Sequence, residues 1–240
     1  MGSFVIAIGL ALIVRWCLFE AYVIPSTSML PSLLVHDYIF VNKILYGVRV
    51  PFSESWLAQW RRPERGEVVV FRYPEDTDKY FIKRVVGLPG DRVLYENGNL
   101  YINEKLVERT IPQDLREDWQ WLKDSDFPGD QDSGGRALYV QWEERLGEHN
   151  YSVLLRKEGG GAGTFGPVTV PEGQFLMLGD NREHSKDSRA WSADKRFVPR
   201  EYLIGRASFV WLSCESTLPG LTFLCNPLTV RWKRLFHAVN

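Results

Sequence analysis

A chain of 240 residues with 29 basic and 30 acidic side chains, formal net charge −1, can bury a full core as one domain with a sizeable insertion or as two small ones. That balance supplies no chain-wide positive field, so nucleic acid is excluded as an expected partner. Of three cysteines, Cys17 lies in the apolar N-terminal run. Cys214 and Cys225 flank a Pro219-Gly220 turn, either as a bridge in an oxidising compartment or as two unrelated buried thiols.

From Phe4 to Val14 every residue is apolar or Gly, and with the aromatic and aliphatic residues as far as Val23 the segment approaches the roughly 20 residues that crossing a bilayer takes. Arg15 and Glu20 interrupt it toward the far end, where long side chains snorkel to the interface and Trp16, Phe19 and Tyr22 suit an aromatic belt. No Lys or Arg precedes the apolar core, and Glu20-Ala21-Tyr22 is a poor small-x-small cleavage site. A retained anchor over residues 1–23 is therefore expected rather than a cleaved signal peptide. Directly after it, Ser26, Thr27 and Ser28 sit between Pro25 and Pro31. Each proline pushes the residue before it, Ile24 and Leu30, toward extended geometry, so the link is expected to be presented rather than buried, as a reactive serine is. The bland alternative is a Ser/Thr/Pro linker following an anchor.

Asp37–Asn42 and Glu67–Tyr73 read as core strands by their β-formers. Between them Trp56 and Trp60 lie in a stretch without clear period, either packed in the core or forming an exposed apolar flap. Lys79–Gly87 reads as a strand ending in the turn Leu88-Pro89-Gly90-Asp91. Alternation puts Lys83 with Phe81 and Val85, and Arg84 with Ile82 and Val86, so at least one cation lies among apolar neighbours or reaches past them. A desolvated lysine loses its charge readily and can then take a proton from a serine, which an arginine cannot do. The other reading is an edge-strand lysine snorkelling to water.

Residues 97–167 read as an inserted, less regular β-subdomain, with a hairpin near Leu100–Val107, a polar tract from Gln113 to Gly135 and glycines at 159–161 and 163, and with no evident chemistry. The core resumes near Val168, with a buried strand at Phe175–Leu178, a dense polar loop at Gly179–Trp191 in which Asp187 and Arg189 can pair, and a last strand at Ile204–Leu212. The tail Thr229–Phe236 mixes cations and aromatics, as a short helix at an anionic lipid surface or an ordinary C-terminal helix.

Three ordered motifs together resemble bacterial type I signal peptidases. They are Pro25-Ser26-Thr27-Ser28-Met29-Leu30-Pro31, the run Tyr80 to Asp91 around Lys83, and Gly179-Asp180-Asn181-Arg182 continuing through Ser185, Asp187, Ser188 and Arg189. The resemblance implies a mainly β fold: an antiparallel signal-peptidase-type catalytic core (24–96 and 168–240) carrying the inserted β-subdomain (97–167), preceded by an N-terminal transmembrane helix (1–23). It implies Ser28 as nucleophile and Lys83 as neutral general base, with Ser185 orienting the lysine amine. Ser26 and the Ser28 N–H would stabilise the oxyanion, and Asp187 and Arg189 would brace the loop. Implied pocket walls are Tyr22, Ile24, Met29, Leu33, Ile39, Val69, Phe81 and Ile82, reading the Ala-x-Ala pattern of signal peptides. No metal or other cofactor is implied. The expected partners are signal peptides of exported precursors and the phospholipid bilayer, with the catalytic domain on the outer face of the bacterial inner membrane. Glu183-His184 departs from the family's usual Asp-Asn, which makes His184 a rival base.

Three rival readings remain. Self-cleaving repressors share the serine–lysine core but need a DNA-binding domain where this chain has an anchor. Ser192-Ala193-Asp194-Lys195 matches the Ser-x-x-Lys of penicillin-interacting enzymes without the accompanying motifs. A non-catalytic membrane-anchored β-domain binding lipid or a partner is the non-enzyme alternative.

Overall fold

The computed structural model describes residue 4 and residues 19–239, apart from 51, 52, 54, 113–116, 128, 131, 132 and 162. Among the described residues the fold is mainly β, as the sequence predicts. An eight-stranded antiparallel sheet runs in the order Phe19–Val23, Asp37–Asn42, Leu203–Ser213, Val68–Tyr73, Asp76–Gly87, Gln174–Leu178 and Val198–Pro199, with His237–Ala238 pairing to Leu203–Ser213.

Val68–Tyr73 is apolar at nearly every position because both faces of this central strand are covered. Val68 and Val70 join Ile24, Met29, Ile39 and Ile82 in one cluster, whereas Val69, Phe71 and Tyr73 join Tyr46, Val85, Met177 and Trp191 in another. The Asp76–Gly87 strand, exposed through Tyr80 and buried from Ile82 on, pairs with it and delivers Lys83 opposite Val69. It ends in the predicted turn, where Gly90 takes φ 85°, a left-handed value that disfavours a side chain.

Two smaller sheets lie against the large one. One contains Thr164–Thr169, Arg92–Glu96, Asn99–Ile102 and Lys105–Leu106; the other contains Arg109–Thr110, Tyr139–Leu146 and His149–Arg156. Their apolar residues, including Val93, Tyr95, Leu100, Leu146 and Val153, share a cluster with Val86, Leu176 and Leu178 of the large sheet. A further cluster packs Leu30 and Leu34 against Leu122, Phe127, Tyr139 and Leu154.

The sequence extends the expected anchor as far as Val23, yet Phe19–Val23 is a strand hydrogen-bonded to Asp37–Asn42, because its β-formers and aromatics pair with the sheet edge. The apolar run before it, residues 5–18, lies outside the described residues; among those described, no helix is long and apolar enough to cross a membrane. The serine link is presented only in part: Pro25 and Ser26 are exposed and Thr27 is half-buried, whereas Ser28 is buried and Met29 and Leu30 are wholly enclosed, with Thr27–Met29 forming a single 3-10 turn. Leu30 does take the extended geometry that Pro31 demands.

The tail is neither a surface helix nor a regular C-terminal one. It forms two 3-10 turns, Pro227–Thr229 and Trp232–Arg234, because Arg231 and Arg234 turn inward to bind Ser213, Asp37 and the carbonyls of Ser32 and Val35. The tryptophan stretch splits: Trp56 packs beside Arg49, whereas Trp60 and Leu57 are exposed. Cys214 and Cys225 are joined as a disulfide.

Candidate active site

The 3-10 turn carrying Ser28 is held from the far end of the chain. Asn181 donates from its backbone N–H to the Ser28 carbonyl at 3.2 Å and from Nδ2 to the Thr27 carbonyl at 3.2 Å. Gly179 makes room for this approach: a Cβ there would lie 2.1 Å from the Ser185 hydroxyl and 2.5 Å from the Ser28 carbonyl. Gly179→Ala is accordingly expected to cost about 1–3 kcal/mol by overpacking, and to lower kcat as well because the atoms displaced belong to the serine turn. Thermal melting and steady-state kinetics on one preparation measure both.

Ser28 Oγ and Lys83 Nζ are 2.6 Å apart, and the amine also bonds the Ile82 carbonyl at 2.8 Å. Lys83 is 4% exposed. Its Nζ lies 5.5 Å from the centre of the Phe81 ring, which Tyr73 stacks against in turn. Burial pushes its pKa down from 10.5 to about 8, and the charges of Asp187 and Asp180 oppose this only in part.

The neighbouring cation has the opposite fate. Arg84, wholly buried, forms a two-pronged pair with Asp180 at 2.8 and 2.6 Å, bonds the Gly66 carbonyl and lies 3.9 Å from the centre of the Tyr151 ring. Sequence alternation requires only one buried cation on this strand; both are buried. The arginine is paired with a carboxylate and the lysine is not, which suits one to stay charged and the other to lose its proton.

Ser26 is exposed, with its hydroxyl 3.3 Å from Ser28 Oγ. Among the described residues no acceptor binds the Ser28 N–H. Asp187 and Arg189 pair at 2.9 and 2.8 Å, and the Gly179 N–H adds a third bond to the carboxylate. Although burial pushes Asp187 up, Arg189 and that N–H hold its carboxyl below the usual range. The Ser185 hydroxyl is buried beside the Asp187 carboxylate, which it helps to hold low, and the expected bond to the lysine amine is not made.

The pocket residues divide between two faces. Tyr22, Ile24, Met29, Leu33, Ile39 and Ile82 share one cluster, whereas Val69 and Phe81 lie in the other, on the lysine's side. Ile24, Met29, Leu33, Ile39 and Val69 are almost completely enclosed and Ile82 is buried too, so any surface offered to a ligand comes chiefly from Tyr22 and Phe81.

His184, weighed as a rival base, instead bonds the Tyr139 hydroxyl at 2.6 Å. Ser192 and Lys195 of the Ser-x-x-Lys match are both exposed. Sequence reasoning missed Asn181 as the tether of the serine turn, although it stood inside a quoted motif, and missed Ser32, whose hydroxyl binds Asp180 at 2.5 Å.

Residues 1–212 match the family described as signal peptidase, peptidase S26. Signal peptidase I of Pseudomonas aeruginosa is 38% identical over 222 residues, covering 88% of this chain and 71% of that protein. Signal peptidase I of Rickettsia massiliae is 35% identical over 228 residues, covering 90% and 80% respectively. A crystal structure of a signal peptidase I from Enterococcus faecalis is 28% identical and covers 62% of this chain and 98% of its own, with a TM-score of 0.34. Family membership excludes the non-catalytic reading: the chain belongs to the S26 signal peptidases, serine endopeptidases that remove signal peptides from precursors.

Proposed function

We propose that the chain is a membrane-tethered endopeptidase working through a Ser28–Lys83 dyad and cutting exported precursors after Ala-x-Ala-like motifs. One observation carries this reading: a buried lysine without a bonded carboxylate lies 2.6 Å from a serine hydroxyl. A serine hydroxyl is a weak nucleophile until an adjacent base takes its proton. In the neutral amine of Lys83 one N–H serves the Ile82 carbonyl, and the lone pair faces Ser28 Oγ–H. The amine takes the proton as Oγ attacks the scissile carbonyl, and returns it to the leaving amine. The same nitrogen then activates water to hydrolyse the ester.

Ser26 Oγ–H and the Ser28 N–H are the donors for the oxyanion, each worth on the order of 3 kcal/mol in comparable sites. Asp187 and Arg189 brace the loop behind them. Tyr22 and Phe81 offer the accessible apolar surface for small side chains, Tyr22 backed by Ile24, Met29, Leu33, Ile39 and Ile82 and Phe81 by Val69. The apolar stretch before Phe19, together with exposed Phe223, Leu228, Trp232 and Phe236, supports attachment to a membrane, and the family resemblance assigns it to the outer face of a bacterial inner membrane.

Incubating the protein in detergent with a secretory precursor and sequencing the new N-terminus tests the reading directly; a cut away from small-x-small sites overturns it. The pH profile is a second test. Lys83 acts only when neutral, so kcat/KM is expected to rise through pH 8 and level off above it. A flat profile between pH ~6 and ~9 argues against a titrating lysine base.

A further inference from the structure

The structure ties the loop bearing Ser185 to the segment 97–167 through two consecutive side chains. Glu183 Oε1 accepts the Gly161 N–H at 2.6 Å and the Arg156 N–H at 3.4 Å. His184 Nε2 lies 2.6 Å from the hydroxyl of Tyr139, which is 1% exposed and donates to Asp130 Oδ2 at 2.6 Å. Asp130 is in turn paired with Arg156 at 2.6 Å. A phenol has a single proton, and here it goes to the carboxylate. His184 Nε2–H is therefore the donor to Tyr139, whether the ring is neutral or charged.

Backbone bonds complete the connection. Leu154 N–H donates to Asp180 O at 2.9 Å, and Arg182 N–H donates to Leu154 O at 3.1 Å. The His184 N–H donates to Asn181 Oδ1 at 3.2 Å, orienting the amide that holds the Thr27 carbonyl.

We infer that Tyr139, fixed by Asp130, is a positioning residue for signal-peptide cleavage: through the His184 ring it sets the loop that holds the Ser28 turn. The segment 97–167, which the sequence leaves without chemistry, thereby helps to place the nucleophile. This rests on the Ser28–Lys83 reading. The groups facing the His184 ring are Tyr139 and Asp130, with Arg156 beyond the carboxylate. Burial and Asp130 push the Tyr139 phenol upward, so it remains a donor throughout the working pH range.

The test uses the full chain in detergent with Tyr139→Phe, His184→Ala and His184→Gln. Tyr139→Phe is expected to lower kcat on the order of tenfold with KM unchanged. His184→Gln, which keeps a donor at the Nε2 position, is expected to restore most of what His184→Ala loses. The double variant Tyr139→Phe/His184→Ala is expected to be no slower than the worse single one.

Amide hydrogen exchange supplies a readout independent of catalysis, with exchange at 181–185 expected to rise roughly tenfold in Tyr139→Phe. Unchanged exchange and kcat in Tyr139→Phe overturn the inference, as does a loss of activity in His184→Gln as large as in His184→Ala. Ser28→Ala serves as control: residual cleavage there sinks the dyad reading, while the exchange result still decides the coupling.

Discussion

Lys83→Met is expected to lower precursor cleavage at least about 10,000-fold, as removal of one member of an interdependent catalytic set does. Ser28→Ala is expected to match it, and retained cleavage in either variant sinks the dyad. The lysine variant carries a second, opposite effect. In the folded protein the amine titrates near 8 rather than 10.5, so below pH 8 it is held charged in a place that disfavours the charge. That cost, on the order of 3 kcal/mol, is fully present below pH 8. It is relieved as pH rises from the folded value toward the unfolded one, because over that window the unfolded chain binds the extra proton. Lys83→Met therefore melts higher than the parent at pH 7, and the two curves converge as pH approaches 10.5. A variant that loses activity and melts lower at every pH shows the lysine to be a structural anchor.

Asp180→Ala is expected to have the largest effect on stability. It strands the wholly buried Arg84 guanidinium and removes the acceptor of the Ser32 hydroxyl. Breaking a buried ion pair from one side costs about 3–5 kcal/mol, whereas replacing both partners with apolar side chains costs far less. For a chain of this length the single change lowers the melting temperature by about 10 °C. Arg84→Met/Asp180→Leu should recover much of that loss. Denaturant titration of the two singles and the double closes the cycle, and singles that cost less than about 1 kcal/mol refute the role assigned to the pair.

Much of the sheet is legible from local pattern. The runs at 37–42, 68–73, 175–178 and 204–212 are rich in β-branched and aromatic residues, and each becomes a strand of the large sheet. The Ser28–Lys83 approach was legible only through the resemblance, because no local rule brings residues 55 positions apart to hydrogen-bonding distance. Misreadings arise where tertiary contacts overrule local character. Phe19–Val23 is as apolar as a membrane segment end, yet an available sheet edge captures it. Arg231 and Arg234 look like a lipid-facing basic cluster until residues almost 200 positions earlier in sequence supply partners, Asp37 for Arg234 and the Val35 carbonyl for Arg231. Tyr139 and Asp130 gave no sequence signal, since a tyrosine in a β-rich stretch and an aspartate in a polar tract are unremarkable until folding brings both to His184.

The strand Leu203–Ser213 is inserted between Asp37–Asn42 and Val68–Tyr73. A ribosome extruding this chain releases Ser28 and Lys83 long before the strand that joins Asp37–Asn42 to the rest of the sheet. Until that late segment arrives, two edges stay unpaired and open to wrong partners, and such long-range closure is slow. A nascent or C-terminally clipped product is therefore expected to hold Ser28 and Lys83 without the completed sheet that keeps them together, and to be prone to aggregation meanwhile.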